Sequence, residues 1–402
     1  MQPFFISYRR EPWRQEVLSL SRECRRRGVG TIVDVSDPGR IAGRAQFDAL
    51  RRVIRDDCDG FILYATRNII DSTCVWNLEV PTALERLDRG SYDFLPVFRD
   101  LSPSEMARLQ PHGRRVSVLA GVCFRPRSAG IDDVSRMHVD VANLALARWI
   151  SRHSDAGAAT SVRVALRTRA TGVQALEPDL TVDWTADYEE VLSGAARRDG
   201  DLGRALWDMT RAIAASGARA IRIDGPAHLS AGCAAGFAFS RAAGFELRVT
   251  QRDAVWRADG AGASPPGLRV ATEQLDPGQP DVALTVAISR PEVVTDVDSA
   301  VGKLDLPVGG RVVVLPEGGA RRDAVLSDSH ARAIVQEIVG NLMRVRAEWG
   351  CRGAIHVFMA APFGLAALLG HALNGFGRLC LYEHTGAGDN YVLVFSLPHL
   401  EI

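Results

Sequence analysis

The sequence predicts an α/β protein built on parallel sheets, and three observations carry that reading. Through residues 1–150, short apolar runs alternate with amphipathic stretches, strand then helix, five times over. Those runs lack the polar alternation of a half-exposed strand, so both faces of their doubly wound sheet are covered. From residue 162 onward the pattern changes and is internally doubled. Gly217–Ile223 leads into Gly225-Pro226 and an Ala/Gly-rich stretch, while Gly353–Val357 leads into Ala361-Pro362 and another. Ile221 and Ile355 are 134 positions apart. A repeat of that length implies two fused Rossmann-like lobes about a pseudo-twofold axis.

In chain order, Phe4–Tyr8 reads as the first strand and Trp13–Arg26 as a helix. Thr31–Val35 is the second strand, followed by a turn at Asp37-Pro38-Gly39 and a helix over Arg44–Arg55. Phe61–Ala65, Phe94–Phe98 and Val116–Phe124 are the third, fourth and fifth strands, and Val134–Ser151 is the closing helix. Between the third and fourth strands lies the chemically loaded stretch, Asp71–Leu87. Ser72 or Thr73 can cap a helix there. Trp76 and Glu79, three apart, then share a face. Pro81 has no N–H, so this helix starts late, near Asn77, or kinks beside Glu79. A carboxylate held beside an indole after a buried strand points to function. The plain alternative is an exposed helix carboxylate next to a core Trp.

Residues 152–161 form a short linker of small residues. The first lobe spans about 162–260 and opens on the strand Val162–Leu166, with a long helix over Gly203–Ala215 and a strand over Phe245–Val249. The second spans about 280–402 and opens on Ala283–Ile288, with a helix over His330–Glu348 and a strand over Leu379–Tyr382. Ala231, Gly232, Ala234, Ala235 and Gly236 let a helix lie close to its sheet or to its twin. Pro226 and Pro362 suit a first helical turn, with the helix N-terminus aimed above the sheet as an anion cradle. Close packing alone is the other reading of those helices.

Composition narrows the function. Formal charge is zero, against a binder of long nucleic acids. No stretch approaches a membrane span, and the first residues lack a signal-peptide core. Seven scattered cysteines without a C-x-x-C pair argue against disulfides and structural zinc, and for a cytoplasmic protein. The nine histidines show no ligand spacing, so no catalytic metal is expected. Lys303 is the only lysine and Leu304 follows it, which excludes a Walker-A loop; no G-x-G-x-x-G follows the first strand, which disfavours a dinucleotide dehydrogenase. Anions would be held by arginine, backbone N–H groups or helix ends.

The residues of the first region resemble TIR domains. Phe4-Phe5-Ile6-Ser7-Tyr8-Arg9-Arg10 looks like their first-strand box, and the Asp34–Gly39 turn sits where their BB loop lies. Cys58–Leu63 resembles the strand before their third helix, and Trp76-Asn77-Leu78-Glu79-Val80 with Ala83-Leu84 resembles the Trp…Glu-Ile…Ala-Leu pattern of that helix. Trp to Glu is three positions here instead of the usual four, and Pro81 follows. The resemblance implies a flavodoxin-like TIR domain over 1–151, with Glu79 as the residue that cleaves the nicotinamide–ribose bond of NAD+; Glu85 is the fallback. Phe5, Tyr8 and Trp76 are nominated as aromatic walls, Arg9 for the pyrophosphate, and Asp34 from the loop that closes the site. The chemistry suits one carboxylate. It can hold the ribose hydroxyls and offset an oxocarbenium-like charge, and nicotinamide leaves neutral without a general acid.

The doubled region, above all Ile355–Tyr382 with Tyr391–Phe395 after it, resembles the SAVED domain, two fused CARF-like lobes that sense cyclic oligonucleotides in bacterial anti-phage (CBASS) defence. That resemblance covers about 162–402. A TIR–SAVED pairing implies an NADase switched on by a cyclic oligoadenylate, cyclic tri-adenylate above others, through head-to-tail assembly into a homo-oligomer or helical filament. Side by side, the loop Asp34–Gly43 of one copy would close over Glu79 of the next. Ligand contacts are expected from loops at the carboxyl ends of strands: Arg167, Arg169, Pro226, His228, Ser289, Arg290, Phe363 and His384. Two other readings compete. One is a ligand-gated TIR scaffold without enzymatic activity, and the other a C-terminal region that degrades its own ligand.

Overall fold

The structure is a computed structural model, and it describes residues 2–33, 44–90, 92–119, 124, 126, 130–154, 161–170, 177–195, 199–262, 267–386 and 390–398. It divides into two compact units, Met1–Ala158 with Leu180–Val182, and Ala159–Asp179 with Asp183–Ile402.

The first unit runs β1 (Phe4–Ser7), α1 (Arg10–Arg26), β2 (Thr31–Val33), α2 (Arg44–Asp56), β3 (Gly60–Ala65), α3 (Val80–Asp88), β4 (Asp93–Phe98), α4 (Pro103–Leu109), α5 (Gly113–Leu119) and α6 (Ile131–Ser154). Its strands pair in parallel in the order β2-β1-β3-β4. Every residue of β3 and β4 is buried, as the apolar runs Phe61–Ala65 and Phe94–Phe98 require, and Asp93 at the start of β4 is ion-paired with Arg152 at 2.6 Å. Gly60 opens β3 because a Cβ there would lie 2.3 Å from the ring of Phe4. On one face Phe5, Phe61, Leu63 and Ala65 pack with Ile54 of α2 and Val80, Ala83 and Leu84 of α3. On the other, Tyr64 donates to Glu16 of α1 at 2.7 Å, and Glu16 also receives Arg99 Nε at 2.7 Å.

Among the described residues of the fifth strand expected over Val116–Phe124, Val116–Leu119 are helical. Gly113–Leu119 is the helix α5, with Gly113 and Val116 buried at helical spacing, and Val116 belongs to the core. Phe124 reaches the sheet as a bridge to Val97. The error was one of period: three apolar positions over a short run do not separate a strand from a helix.

From Ala159 the chain runs β5 (Ser161–Arg167), β6 (Leu180–Asp183, of which Leu180–Val182 group with the first unit), α7 (Thr185–Leu192), α8 (Asp199–Ala215), β7 (Ala220–Asp224), α9 (Leu229–Ala238), β8 (Glu246–Gln251) and β9 (Ala254–Arg257). It continues with β10 (Leu268–Gln274), β11 (Asp281–Ala287), α10 (Val293–Lys303), β12 (Val308–Pro316), α11 (Asp328–Trp349), β13 (Ile355–Ala360), α12 (Phe363–Leu373), β14 (Leu379–His384) and β15 (Tyr391–Leu397). In the first lobe β5, β7 and β8 are parallel neighbours, with β9 antiparallel at the edge. The second lobe's sheet is β10-β12-β11-β13-β14-β15, parallel except at its two edges. The repeated unit is therefore β5-α8-β7-α9-β8 and β11-α11-β13-α12-β14. The sequence reading passed over α10 and β12, which the second lobe inserts after β11.

The small residues of α9 have a concrete role. A Cβ on Gly236 would sit 1.9 Å from the backbone oxygen of Ala367, and one on Gly370 would sit 1.9 Å from that of Cys233. Both pairs are related by a shift of 134 residues. The two helices thus cross backbone against backbone on the pseudo-twofold axis, which only glycine at the crossing points permits.

Candidate functional site

Glu79 lies in the connection after β3, where the chain departs from α geometry. A 3₁₀ turn over Arg67–Asp71 is followed by a π turn over Val75–Glu79, and α3 continues from Val80. The N–H of Val80 reaches back five residues to the oxygen of Val75. This wide turn precedes Pro81, which has no N–H to offer an α-helical ladder. Neither a late start near Asn77 nor a proline kink occurs; a π bulge does. Such bulges are frequent at functional sites.

The wide turn also changes who meets Glu79. The Cys74 thiol, five positions earlier, lies 3.3 Å from its Oε1. Trp76 instead turns into the core, where its indole N–H donates to the Ile69 oxygen at 2.8 Å. Glu79 is 6% exposed. Glu85, by contrast, is 60% exposed and ion-paired with Arg89 one turn on. The plain reading of an exposed helix carboxylate therefore describes Glu85 and not Glu79. Of the nominated walls, Phe5 is 1% exposed and stacked on Phe61 at 5.8 Å, and Trp76 is 5% exposed. Both are core side chains beneath the site, because they share one packed cluster with Val75 and Val80. Tyr8 is 9% exposed, and the exposed Arg9 donates to the Asn68 oxygen at 2.9 Å. Asp34 and the loop to Gly43 lie outside the described residues.

In the second unit, the carboxyl ends of the first lobe's strands carry a connected polar group. Thr168, just past β5, accepts from the His228 N–H at 2.7 Å, so its own hydroxyl hydrogen is free to go to His228 Nδ1, also at 2.7 Å. The His228 ring stacks on Tyr188 at 4.8 Å, and Tyr188 Oη lies 2.9 Å from Ser230 Oγ. Pro226 joins the group through its oxygen, which accepts from the Thr168 N–H. Neither proline lies inside its helix: Pro362 is the N-cap of α12, and Pro226 precedes His228, the N-cap of α9.

Burial first, and the charge of Arg169 second, lower the His228 pKa from 6.5 to about 4. The imidazole is therefore a neutral donor at physiological pH. Because the unfolded chain takes up a proton below 6.5 and the folded chain holds off until about 4, stability falls with pH across that window. His228→Phe keeps the stacking and removes this titration. Its melting temperature is expected to fall less than the wild type's between pH 7 and pH 4.5, measured side by side.

The expected anion cradles are already filled, each by the opposite lobe. Ser230, the second residue of α9, gives its N–H and its hydroxyl to Glu383 Oε2 of β14, at 3.1 and 2.7 Å. Gly364, the second residue of α12, gives its N–H to Gln251 Oε1 of β8 at 2.8 Å. The caps are reciprocal, one a carboxylate and one a neutral amide. Burial raises the Glu383 pKa above 4.5 despite the Ser230 hydrogen bonds and Arg169. The folded state thus keeps that proton longer, and stability falls as pH rises from 4.5 through the raised value. Glu383→Gln is expected to be at least as stable as the wild type at pH 7 and to lose that advantage at pH 4, read as thermal midpoints.

The second lobe gathers a looser group. Ser289 donates its N–H to the Ala360 oxygen at 2.8 Å, and Arg290 Nη2 stands 3.7 Å from Asp296 Oδ2 of α10. His384 meets Tyr391 edge to face at 5.2 Å. Phe363 packs over Gly232, where a Cβ would lie 2.6 Å from its ring. Arg167 ends β5, its oxygen accepting from the Trp184 N–H. Thr168, Tyr188, Ser230, Glu383 and Tyr391 were missed in sequence. Thr168 stood between two nominated arginines; the others come from distant segments and left no local signal.

Comparison with known proteins bears on this unit. Residues 206–397 match the family model described as "SAVED: SMODS-associated and fused to various effectors sensor domain". The CD-NTase-associated protein 4 of Acinetobacter sp. (strain ATCC 27244 / 9458) is 26% identical over 167 residues, 41% of this chain and 34% of that protein. The chain therefore matches about a third of that relative's length. A solved Acinetobacter baumannii Cap4 SAVED/CARF-domain containing receptor with the cyclic trinucleotide 3′3′3′-cAAA aligns over 89% of this chain and 86% of that one, at 16% identity and a TM-score of 0.49. The TIR domains of the activated Roq1 resistosome align over 36% of this chain and 84% of that one, at 19% identity and a TM-score of 0.23. Residues 206–397 are thus similar to the SAVED sensor family.

Proposed function

We propose that this protein is an NAD+ glycohydrolase of CBASS defence, switched on when its SAVED domain binds a cyclic oligonucleotide. The observation that carries the reading is one chain holding two things: a SAVED domain, and a doubly wound unit whose β3–α3 connection buries Glu79 in a π turn. The N-terminal unit is read as a TIR domain on its first-strand box and its Trp76…Glu79 segment. Glu79 would hold the ribose and offset positive charge as the nicotinamide bond breaks. Tyr8 and Arg9 remain the substrate contacts nearest the surface, with Asp34 supplied by the closing loop.

The activator is a cyclic oligoadenylate, cyclic tri-adenylate first. The neutral imidazole of His228 suits a base, and Arg169 suits a phosphate. Activation would stack copies head to tail into a filament and complete sites between neighbours. The low exposure of Glu79, 6%, supports a residue that is idle in the single copy. Nicotinamide release against cyclic di-, tri- and tetranucleotides, with particle size followed by light scattering, tests the reading. Assembly on ligand without nicotinamide release would instead make the protein a scaffold. Recovery of the ligand intact would dispose of a ligand-degrading C-terminal unit.

A further inference from the structure

We propose that Tyr391 is a phosphodiester contact of the cyclic-nucleotide site, donating its hydroxyl to a phosphate oxygen that Arg290 also binds. The inference rests on the reading of the C-terminal unit as a cyclic-oligonucleotide sensor. Tyr391 opens β15, directly across from His384 at the carboxyl end of β14. It is 6% exposed, yet its hydroxyl has no hydrogen-bond partner among the described residues. A buried phenol without a partner calls for an explanation, since buried polar groups are nearly always satisfied.

The ring itself is well held. Phe358 and His384 each meet it edge to face, at 5.1 and 5.2 Å. Only the oxygen is left over. Burial first, then the charge of Asp296, lifts the phenol to about 12, while Arg290 pulls the other way, so the group is a neutral donor in reach of these charges. Arg290 is half exposed, and its 3.7 Å separation from Asp296 is too long for a hydrogen bond. The guanidinium is therefore not locked. A phosphate arriving at the loop after β11 can draw Arg290 away from Asp296, and these are the two charges that act on the Tyr391 phenol. Phosphate pairs with a guanidinium through charge-assisted bonds that a distant carboxylate does not match.

Tyr391→Phe keeps both ring contacts and deletes one oxygen, which gives the test two readouts of opposite sign. Without ligand, the variant is expected to melt at or above the wild-type temperature, because an unsatisfied group is gone. With 3′3′3′ cyclic tri-adenylate as probe, its dissociation constant by calorimetry is expected to rise roughly 10- to 100-fold, as for a lost hydrogen bond to a charged group. Arg290→Gln is expected to weaken binding as well and to flatten its salt dependence. Wild-type binding matched by equally tight binding of Tyr391→Phe overturns this inference and leaves the sensor reading standing. A lower melting temperature with unchanged affinity also overturns it, by making the hydroxyl structural. If the wild type binds none of the di-, tri- and tetranucleotide rings, the sensor reading fails and this contact fails with it.

Discussion

Glu79→Gln is expected to lower ligand-stimulated nicotinamide release roughly a thousandfold, the scale seen when one group aimed at transition-state charge is removed. The substitution is nearly isosteric, and the side chain sits on a turn set by backbone bonds, so folding and ligand-driven assembly should be unchanged. The neutral amide can still accept from Cys74, 3.3 Å away, but cannot offset a developing positive charge on the ribose. Glu85→Gln is the matched control, and its exposed pair with Arg89 predicts near wild-type activity. Substantial activity left in Glu79→Gln would refute the assignment. Loss in Glu85→Gln alone would move it six residues along the chain.

The second large effect is on stability. Gly236→Ala places a methyl group 1.9 Å from the Ala367 oxygen, and Gly370→Ala places one 1.9 Å from the Cys233 oxygen. Neither obstacle is a flexible side chain, so α9 and α12 must separate. Each substitution is expected to cost about 3 kcal/mol or more, which for a unit of this size lowers the melting temperature by roughly 6–12 °C. Gly340 of α11 is the contrast, since a Cβ there meets nothing within 4 Å. Gly340→Ala is expected to stabilise by up to about 1 kcal/mol through helix propensity. The same chemical change should thus have opposite signs at two helix positions. Equal melting temperatures for all three variants would show that the crossing is looser than described.

What could be read from the sequence follows from the range of the interaction that fixes each feature. β3 was legible because its six residues are buried by an apolar run that needs no partner to be recognised. The doubled C-terminal pattern was legible because two stretches 134 residues apart carry the same order of apolar, proline and small residues. Gly236 and Gly370 were legible as small residues but not as crossing points, which only the pairing of two helices defines. Pro81 announced an irregularity without saying which, since a π turn and a proline kink have the same local composition. Phe5 and Trp76 could be nominated as walls because aromatic side chains serve cores and ligand sites alike. Ser230 and Glu383 meet across 153 positions, and nothing in either neighbourhood names the other.

The swapped caps at Ser230 and Gly364 carry a consequence for how such a domain can be taken apart or acquired. Each half supplies the stopper for its twin's helix: Glu383 for one and Gln251 for the other. A lone half expressed by itself would start its central helix with an unfilled donor and an idle acceptor left at its sheet edge. The duplication is thus mutually dependent, and a protein trimmed to either half would be left with an open seam.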